Sequence, residues 1–137
     1  MRISNNTVAV VTGAASGIGK AVASELAKRG CHLALVDLNE SALQETVVEL
    51  SHTNQHVTAH PTDVSSESQM RNLQARVLQE HGQVHLLVNN AGVSVASPFD
   101  QLDLQDFQWL MGVNFWDCIW LQILPPSFSR SRLWRHC

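Results

Sequence analysis

Short apolar runs alternate with segments of helical periodicity along most of the chain. Residues 7–13, 32–38, 56–64 and 84–92 are rich in Val, Leu, Ala or Thr, which is typical of strands buried within a sheet. Apolar residues at helical spacing predict helices over residues 16–30, 40–50, 66–81 and 103 to about 114. This alternation predicts an α/β fold with a parallel sheet, right-handed crossovers and helices on both faces.

The predicted helices carry residues that commonly begin and end helices. Ile18, Val22 and Leu26 recur at helical spacing in the first helix, and Gly30 suits the position after its last turn. Asn39 is the predicted N-cap of the second helix, and Gly82 is predicted to end the third. The element boundaries therefore follow from capping chemistry as well as from periodicity.

The composition indicates one small folded domain. The 137 residues are 45% hydrophobic and 15% charged, and a net charge of -3 gives no reason to expect a nucleic-acid partner. No apolar run reaches membrane-spanning length and no signal peptide precedes the first strand, so we expect no membrane partner and a cytoplasmic location. Cys31, Cys118 and Cys137 show no metal-binding spacing, and their odd number argues against a disulfide framework.

A glycine-rich loop, "TGAASGIG" over residues 12–19, joins the first strand to the first helix. Gly13 permits a tight turn, Gly17 lets the backbone approach a pyrophosphate, and Gly19 lets the helix pack close to the strand. Amide groups at the helix N-terminus would then face the phosphate charge. The alternative is a glycine-rich turn without a ligand, but the flanking strand and helix favour a dinucleotide site.

Asp37 closes the second strand, 18 residues beyond Gly19. A carboxylate there can accept hydrogen bonds from the adenosine ribose hydroxyls and would repel a 2′-phosphate, which favours NAD over NADP. The alternative is an aspartate that caps the following turn. The neighbouring glycine loop favours the ribose role.

Four motifs in sequence order resemble the short-chain dehydrogenase/reductase family over residues 7 to about 116. They are "TGAASGIG", "DV" at residues 63–64, "NNAG" at residues 89–92 and "VN" at residues 113–114. The resemblance implies an incomplete Rossmann-type doubly wound sheet made of the family's first four strands. It also implies an oxidoreductase that transfers a hydride between NAD(P) and an alcohol or carbonyl compound.

The resemblance further implies a role for each matching residue. The pyrophosphate site would be lined by Thr12, Gly13, Ser16, Gly17, Ile18 and Gly19, and Asp37 would hold the adenine ribose. The adenine would be flanked by Asp63 and Val64, and the second ribose would lie near Asn90, Ala91 and Gly92, with Asn89 supporting the sheet. Asn114 matches the catalytic asparagine, which helps to hold a water in the proton relay; the alternative is a helix asparagine satisfied by backbone groups.

The family's remaining catalytic groups are missing from this chain. They are a serine on the next strand and a Tyr-x-x-x-Lys pair, whose tyrosine acts as general acid and base. The chain contains no tyrosine, and its last lysine is Lys28 in the first helix. We therefore expect an inactive chain in which NAD binding is weak or lost. The alternative is a non-catalytic nucleotide-binding or subunit-interaction module that pairs with an intact family member through the fourth helix.

Residues 117–137 differ from the rest and are predicted to form a tail outside the partial dinucleotide-binding domain of residues 1–116. In the reading frame that starts one base later, each codon overlaps two neighbouring residues of this chain. The codons that overlap residues 116–117, 120–121 and 134–135 must then encode glycine, in a pattern that resembles the family's fourth helix. We therefore favour a change of reading frame near Trp116 over a divergent functional tail. Alternative splicing or an error in the gene sequence would produce the same residues.

The histidines are not predicted to bind metal. His52, His56 and His60 recur every four residues, but they straddle a helix end, a strand start and Pro61, so one helical face cannot hold all three. His81 and His85 flank a turn and are expected to be solvated.

Overall fold

The computed structural model describes residues 3–51 and 55–122, and the structural statements below concern these residues. In chain order the strands and helices are β1 (Val8–Thr12), α1 (Gly17–Lys28), β2 (His32–Asp37), α2 (Glu40–Leu50), β3 (Val57–Pro61), α3 (Glu67–His81), β4 (Leu86–Val88), a 3-10 turn (Phe99–Gln101), α4 (Leu104–Met111), a π-helical turn (Gly112–Trp116) and α5 (Asp117–Gln122). The predicted alternation of strands and helices is confirmed. His52 and residues 123–137, most of the predicted tail, lie outside the described residues.

The four strands form one parallel sheet in the order β3-β2-β1-β4. The predicted doubly wound parallel sheet is confirmed, with β1 between β2 and β4. Chain order reverses on either side of β1, and in open α/β sheets such a switch point leaves a crevice beyond the carboxyl ends of the strands. The glycine loop therefore begins at the position in the sheet where ligands usually bind.

Both faces of the sheet are covered, which explains the continuous apolar character of the central strands. On one face, Val11 and Leu35 pack in a core that includes Ala23 and Leu26 of α1 and Leu43 of α2. The opposite face carries a second core, formed by Val10, Val36, Val64, Met70, Leu73 and Val77. Each residue of β1 is buried, so neighbouring side chains along this strand serve different cores.

Strand β4 is shorter than predicted. The expected strand covered residues 84–92, whereas the observed one contains only Leu86–Val88, paired with Ala9, Val10 and Val11 of β1. Beyond Val88 the backbone leaves the ladder, and the next N–H groups bond to a side chain of β1 instead. The last four residues of the expected strand thus form a loop at the carboxyl edge of the sheet.

The fourth predicted helix begins where expected but extends further. The side chain of Asp103 caps α4 by accepting a hydrogen bond from the Gln105 N–H at 3.0 Å. The helix then widens into the π-helical turn, which contains Asn114, and continues through α5 to Gln122. Widened turns of this kind occur frequently at functional sites. Within the described ranges, no helix combines the length and apolar character needed to cross a bilayer.

Candidate functional site

The predicted site residues lie at the carboxyl ends of the strands. Thr12 ends β1 and Asp37 ends β2, Asp63 follows β3, and Asn90 follows β4. Because all four strands are parallel, these ends share one edge of the sheet. The sheet thus collects residues from distant parts of the chain around the glycine loop.

The glycine loop depends on two different properties of glycine. Gly13 and Gly17 have φ values of 66° and 53°, in the left-handed region that L side chains rarely adopt. Gly19 has ordinary dihedrals, but a Cβ added to it would overlap the carbonyl oxygen of Gly13. The helix therefore starts in direct contact with the end of β1, as the predicted role of Gly19 requires.

The first turn of α1 faces open space. Ser16 is the N-cap residue, but its side chain makes no capping hydrogen bond, and the first turn contains no acidic residue. No atom lies within 4 Å of the position that a Cβ of Gly17 would occupy. The N–H groups and the positive end of the helix dipole are thus left available to an anion.

Ile18, which the resemblance assigns to the pyrophosphate site, lies outside the core. Its side chain is 76% exposed, next to the open space in front of α1. The core face of the helix is formed instead by Gly19, Ala23, Leu26 and Ala27. An apolar side chain in this place is available for contact with a bound ligand.

Asp37 caps a turn, which was the alternative to its predicted ribose role. Its Oδ1 accepts a hydrogen bond from the Asn39 N–H at 2.9 Å, and its Oδ2 accepts one from the Ala15 N–H at 3.0 Å. A carboxylate has about four lone-pair positions, so two of them still have capacity for hydroxyl donors. The carboxylate therefore joins the glycine loop to the end of β2 without excluding a further ligand.

The hydroxyl of Thr12 is fully occupied by protein groups. Its Oγ1 accepts hydrogen bonds from the N–H groups of Asn90 and Ala91, each at 3.0 Å, and donates one to Asp117 Oδ2 at 3.2 Å. A hydroxyl offers one donor and two acceptor positions, so all three are used. Because Thr12 is also completely buried, its side chain positions the loop and leaves no group for a phosphate.

Asn90 fastens the segment after β4 to the glycine loop. Its Nδ2 donates to the carbonyl oxygen of Thr12 at 3.0 Å and to that of Gly13 at 3.3 Å. Its neighbour Asn89 has a buried Oδ1 without a hydrogen-bond partner among the described residues. The "NNAG" motif therefore acts here through contacts with the backbone of the loop.

Asp117 is the residue of this region that sequence reasoning missed. It was assigned to the tail, yet it is only 1% exposed, and one of its carboxylate oxygens contacts Thr12. Burial raises its pKa to about 6, and the hydrogen bond from Thr12 offsets this only in part. Its Oδ1 has no partner among the described residues. No local motif marks Asp117, because its environment is created by the return of α5 to β1.

Asn114 satisfies its side chain with the backbone of the segment after β4. Its Oδ1 accepts from the Val93 N–H at 2.8 Å, and its Nδ2 donates to the Val93 carbonyl at 2.8 Å. A Cβ on Gly92 would lie 3.5 Å from Asn114 Oδ1. The side chain is thus satisfied by backbone groups, although Asn114 is exposed rather than buried, and the role of Asn114 in a water relay stays a prediction.

Asp63 and Val64 form the turn that leads into α3. Asp63 Oδ1 accepts hydrogen bonds from the Ser65 N–H at 2.9 Å and the Ser65 hydroxyl at 2.6 Å. Val64 is buried in the core that contains Met70 and Leu73. Both residues therefore have structural partners, and their contact with adenine stays a prediction.

Comparisons with known proteins identify the same family that the sequence motifs resemble. The sequence model of the family described as short chain dehydrogenase matches residues 7–124. A crystal structure of a short chain dehydrogenase/reductase from Burkholderia phymatum in complex with NAD is 36% identical, with a TM-score of 0.88 over 93% of this chain and 46% of that one. L-sorbose reductase from Gluconobacter frateurii, solved with NADPH and L-sorbose, is 29% identical, with a TM-score of 0.82 over 87% of this chain and 45% of that one.

The sequence relatives are about twice as long as this chain. Diacetyl reductase [(S)-acetoin forming] from Staphylococcus epidermidis is 33% identical over 125 residues, which are 90% of this chain and 49% of the relative. The chain thus spans about half the length of the relatives that it matches.

We predict that Asp117 makes the stability of the fold depend on pH. Its folded-state pKa lies above the ordinary value of 3.8, so ionising Asp117 destabilises the folded state. This destabilisation is absent below about pH 4 and fully present above about pH 6. Asp117→Asn should therefore stabilise the protein by about 1–3 kcal/mol at mildly alkaline pH and have little effect at acidic pH. Urea unfolding across this range measures the difference.

Asp106→Asn is the matched control for this experiment, because Asp106 is an exposed aspartate in α4. Its effect on stability should not follow the titration of Asp117. A difference between wild type and Asp117→Asn that stays constant across the pH range would contradict the prediction.

Proposed function

Because the chain belongs to the short-chain dehydrogenase/reductase family, we propose that it binds a nicotinamide dinucleotide at the glycine loop. The observation that carries the proposal is the contact between Gly19 and Gly13, which holds the start of α1 against β1 while open space lies in front of Gly17. The uncapped amides of the first turn are suited to the charge of a pyrophosphate. The NAD and NADPH complexes of the structural relatives support the same class of ligand.

The residues present fit the adenosine and pyrophosphate part of such a cofactor. The backbone amides of Gly17, Ile18 and Gly19 would bind the pyrophosphate, and the spare lone pairs of Asp37 would accept the adenine ribose hydroxyls. Asn90 holds the loop in place through the carbonyls of Thr12 and Gly13. When bound, the dinucleotide supplies hydride chemistry to the family's alcohol or carbonyl substrates.

We further propose a preference for NAD over NADP. A 2′-phosphate would place negative charge beside the Asp37 carboxylate, which Coulomb repulsion disfavours. The position of Asp37 supports this, since its bond to the Ala15 N–H keeps the carboxylate beside the glycine loop. Both NAD and NADPH complexes occur among the structural relatives, so the choice depends on this residue rather than on the fold.

For these 137 residues we propose nucleotide binding without turnover. None of them is a tyrosine, so the chain contains no Tyr-x-x-x-Lys pair, and its last lysine, Lys28, lies in α1. In this proposal, hydride transfer is carried out by family members that contain the Tyr-x-x-x-Lys pair and not by these residues alone. A change of reading frame near Trp116 remains our explanation for the residues that follow, and the nucleotide sequence around that codon tests it.

A subunit-interaction module is the second candidate, and one observation favours it. The segment from α4 through the π-helical turn exposes several large apolar side chains, among them Leu104 at 67%, Phe107 at 44% and Trp109 at 49%. Such a concentration of apolar groups on one segment is typical of protein interfaces. Pairing with an intact family subunit would cover it.

We predict that NAD raises the thermal stability of the chain through the glycine loop. Gly19→Val should abolish the shift in Tm, because its side chain would overlap the Gly13 carbonyl. Ala21→Val inserts the same side chain on the exposed face of α1 and is the control that should keep the shift. If Gly19→Val does not fold, Gly17→Ala provides the readout and should reduce the shift, because its methyl group enters the open space of the site and strains the left-handed backbone of the loop. Equal shifts in all variants would argue against the site.

We predict that Asp37→Asn weakens the discrimination between the two cofactors. Removing the negative charge should improve NADP affinity relative to NAD by roughly tenfold or more, about 1.4 kcal/mol. Asp63→Asn changes another carboxylate at the same edge of the sheet and should leave the ratio unchanged. Calorimetric titration of both cofactors measures the two ratios, and an unaltered ratio in Asp37→Asn would reject the proposed preference.

We predict no dehydrogenase activity for the purified chain. NAD oxidation and reduction should be followed with alcohols and carbonyl compounds, because the tyrosine that would move the proton is missing. The double variant Gly13→Val, Gly19→Val is the control for contaminating enzymes. Turnover above that control would disprove the absence of catalysis.

A further inference from the structure

A cluster of histidines surrounds Thr58 on edge strand β3, outside the residues assigned to the dinucleotide. His60 is completely buried in β3, and His81 is the last residue of α3, with Glu80 beside it. The ring of His56 lies against that of His81, with centroids 4.6 Å apart. His81 is half-buried and bonds to Thr58, so the expectation that it is solvated holds only in part. His85, whose Nδ1 accepts from the Val8 N–H at 3.0 Å, also has a structural partner.

The Thr58 hydroxyl lies between two imidazole nitrogens. Thr58 Oγ1 is 2.7 Å from His60 Nε2 and 2.8 Å from His81 Nε2. A hydroxyl has only one proton, and the Leu33 carbonyl oxygen, 3.5 Å from Thr58 Oγ1, is a longer contact than either nitrogen. The hydroxyl is therefore assigned to donate to one nitrogen and accept from the other. One of the two nitrogens must therefore be unprotonated.

Burial assigns the protons within this group. His60 Nδ1 is buried without a partner among the described residues, and an orphaned buried N–H is rarer than an orphaned acceptor. We therefore assign the proton of His60 to Nε2, which donates to Thr58, and the Thr58 hydroxyl donates to His81 Nε2. His81 then presents a bare nitrogen lone pair.

Neutral imidazole is the form in which histidine coordinates a metal ion, and the complete burial of His60 favours that form over the charged one.

A carboxylate completes the donor set. Glu80 Oε2 lies 3.8 Å from His60 Nε2, and the potential ligand atoms of His60, Glu80 and His81 all lie within 4.8 Å of one another. Tetrahedral zinc with bonds of about 2.0–2.1 Å needs ligand atoms roughly 3.4 Å apart, so the most distant pair must approach by up to about 1.4 Å. The Glu80 side chain is 36% exposed and has room to make this movement.

We propose that His60 Nε2, His81 Nε2 and the Glu80 carboxylate bind Zn²⁺, with a water in the fourth position. Two imidazoles and one carboxylate are a known zinc donor set. On binding, the His60 proton moves from Nε2 to Nδ1, a buried position without a partner among the described residues, so the bond to the ion must outweigh that cost. The Thr58 hydroxyl leaves its place between the two rings and keeps the Leu33 carbonyl oxygen, 3.5 Å away, as an acceptor. The ion would join β3 to the end of α3 and stabilise the fold. The site does not depend on dinucleotide binding.

This site differs from the one that the sequence excluded. The four-residue spacing drew attention to His52, His56 and His60, but His52 lies outside the described residues and His56 stacks on a ring. The partners of His60 come from the far end of α3, about twenty residues later in the chain. A local sequence pattern cannot predict this contact, because His60 meets Glu80 and His81 only when α3, in the crossover from β3 to β4, packs against the sheet.

The experiment is a calorimetric titration of ZnCl₂ into tag-free chain that has been stripped of metal with a chelator. We expect one equivalent of Zn²⁺ to bind and to raise Tm. His81→Gln and Glu80→Gln should each lower the affinity at least tenfold, because a ligand is lost. Both side chains are partly exposed, and glutamine at position 81 can still bond to Thr58, so these variants should fold.

The matched control is His85→Gln, because it removes a histidine that lies outside the cluster and already bonds to Val8. It should bind Zn²⁺ as tightly as wild type. The proposal is overturned if wild type binds no Zn²⁺. It is equally overturned if His81→Gln binds the ion with unchanged affinity, since the ion would then lie elsewhere. Neither result bears on the proposed cofactor, because no residue of the glycine loop is altered.

Discussion

The saturated hydroxyl of Thr12 is the contact on which the candidate site depends. It accepts the N–H groups of Asn90 and Ala91 and donates to Asp117, so β1, the segment after β4 and α5 meet at one buried oxygen. Those two N–H groups have left the sheet ladder and would otherwise lie part-buried without a protein partner, which costs free energy. A single side chain thus ends the pairing of β1 with β4 and fixes where the glycine loop begins.

The glycine loop is held from both sides by groups that also define the ligand site. Asn90 binds the carbonyls of Thr12 and Gly13 from the β4 side, and Asp37 binds the Ala15 N–H from the β2 side. These contacts fix the backbone before any ligand arrives, and such preorganisation lowers the entropy cost of binding. The same arrangement explains why the turn-capping role of Asp37 is compatible with its proposed ribose role: the carboxylate can accept hydrogen bonds from the backbone and from a ligand.

Asp117 and the histidine cluster show two ways in which this fold holds buried ionisable groups. Asp117 has one oxygen bonded to Thr12 and one without a partner among the described residues, so burial is compensated only in part and its pKa rises. His60 and His81 instead share the Thr58 hydroxyl and remain neutral, which avoids the cost of a buried charge. The first arrangement opposes stability at high pH, whereas the second preserves lone pairs that a metal ion can use.

The sequence alone determined the elements and their order, because periodicity and capping act over a few residues. Helix α2 runs over the predicted Glu40–Leu50 with Asn39 as its cap, and Gly82 ends α3 in the left-handed conformation. The positions of the glycine loop and Asp37 at the ends of β1 and β2 also followed from the sequence, since their spacing reflects one strand–helix–strand unit. Only the tertiary structure decided the length of β4, the burial of Asp117 and the meeting of His60 with Glu80 and His81. Those features join residues from different crossovers, and their contacts exist only once the parallel strands have fixed which chain segments become neighbours.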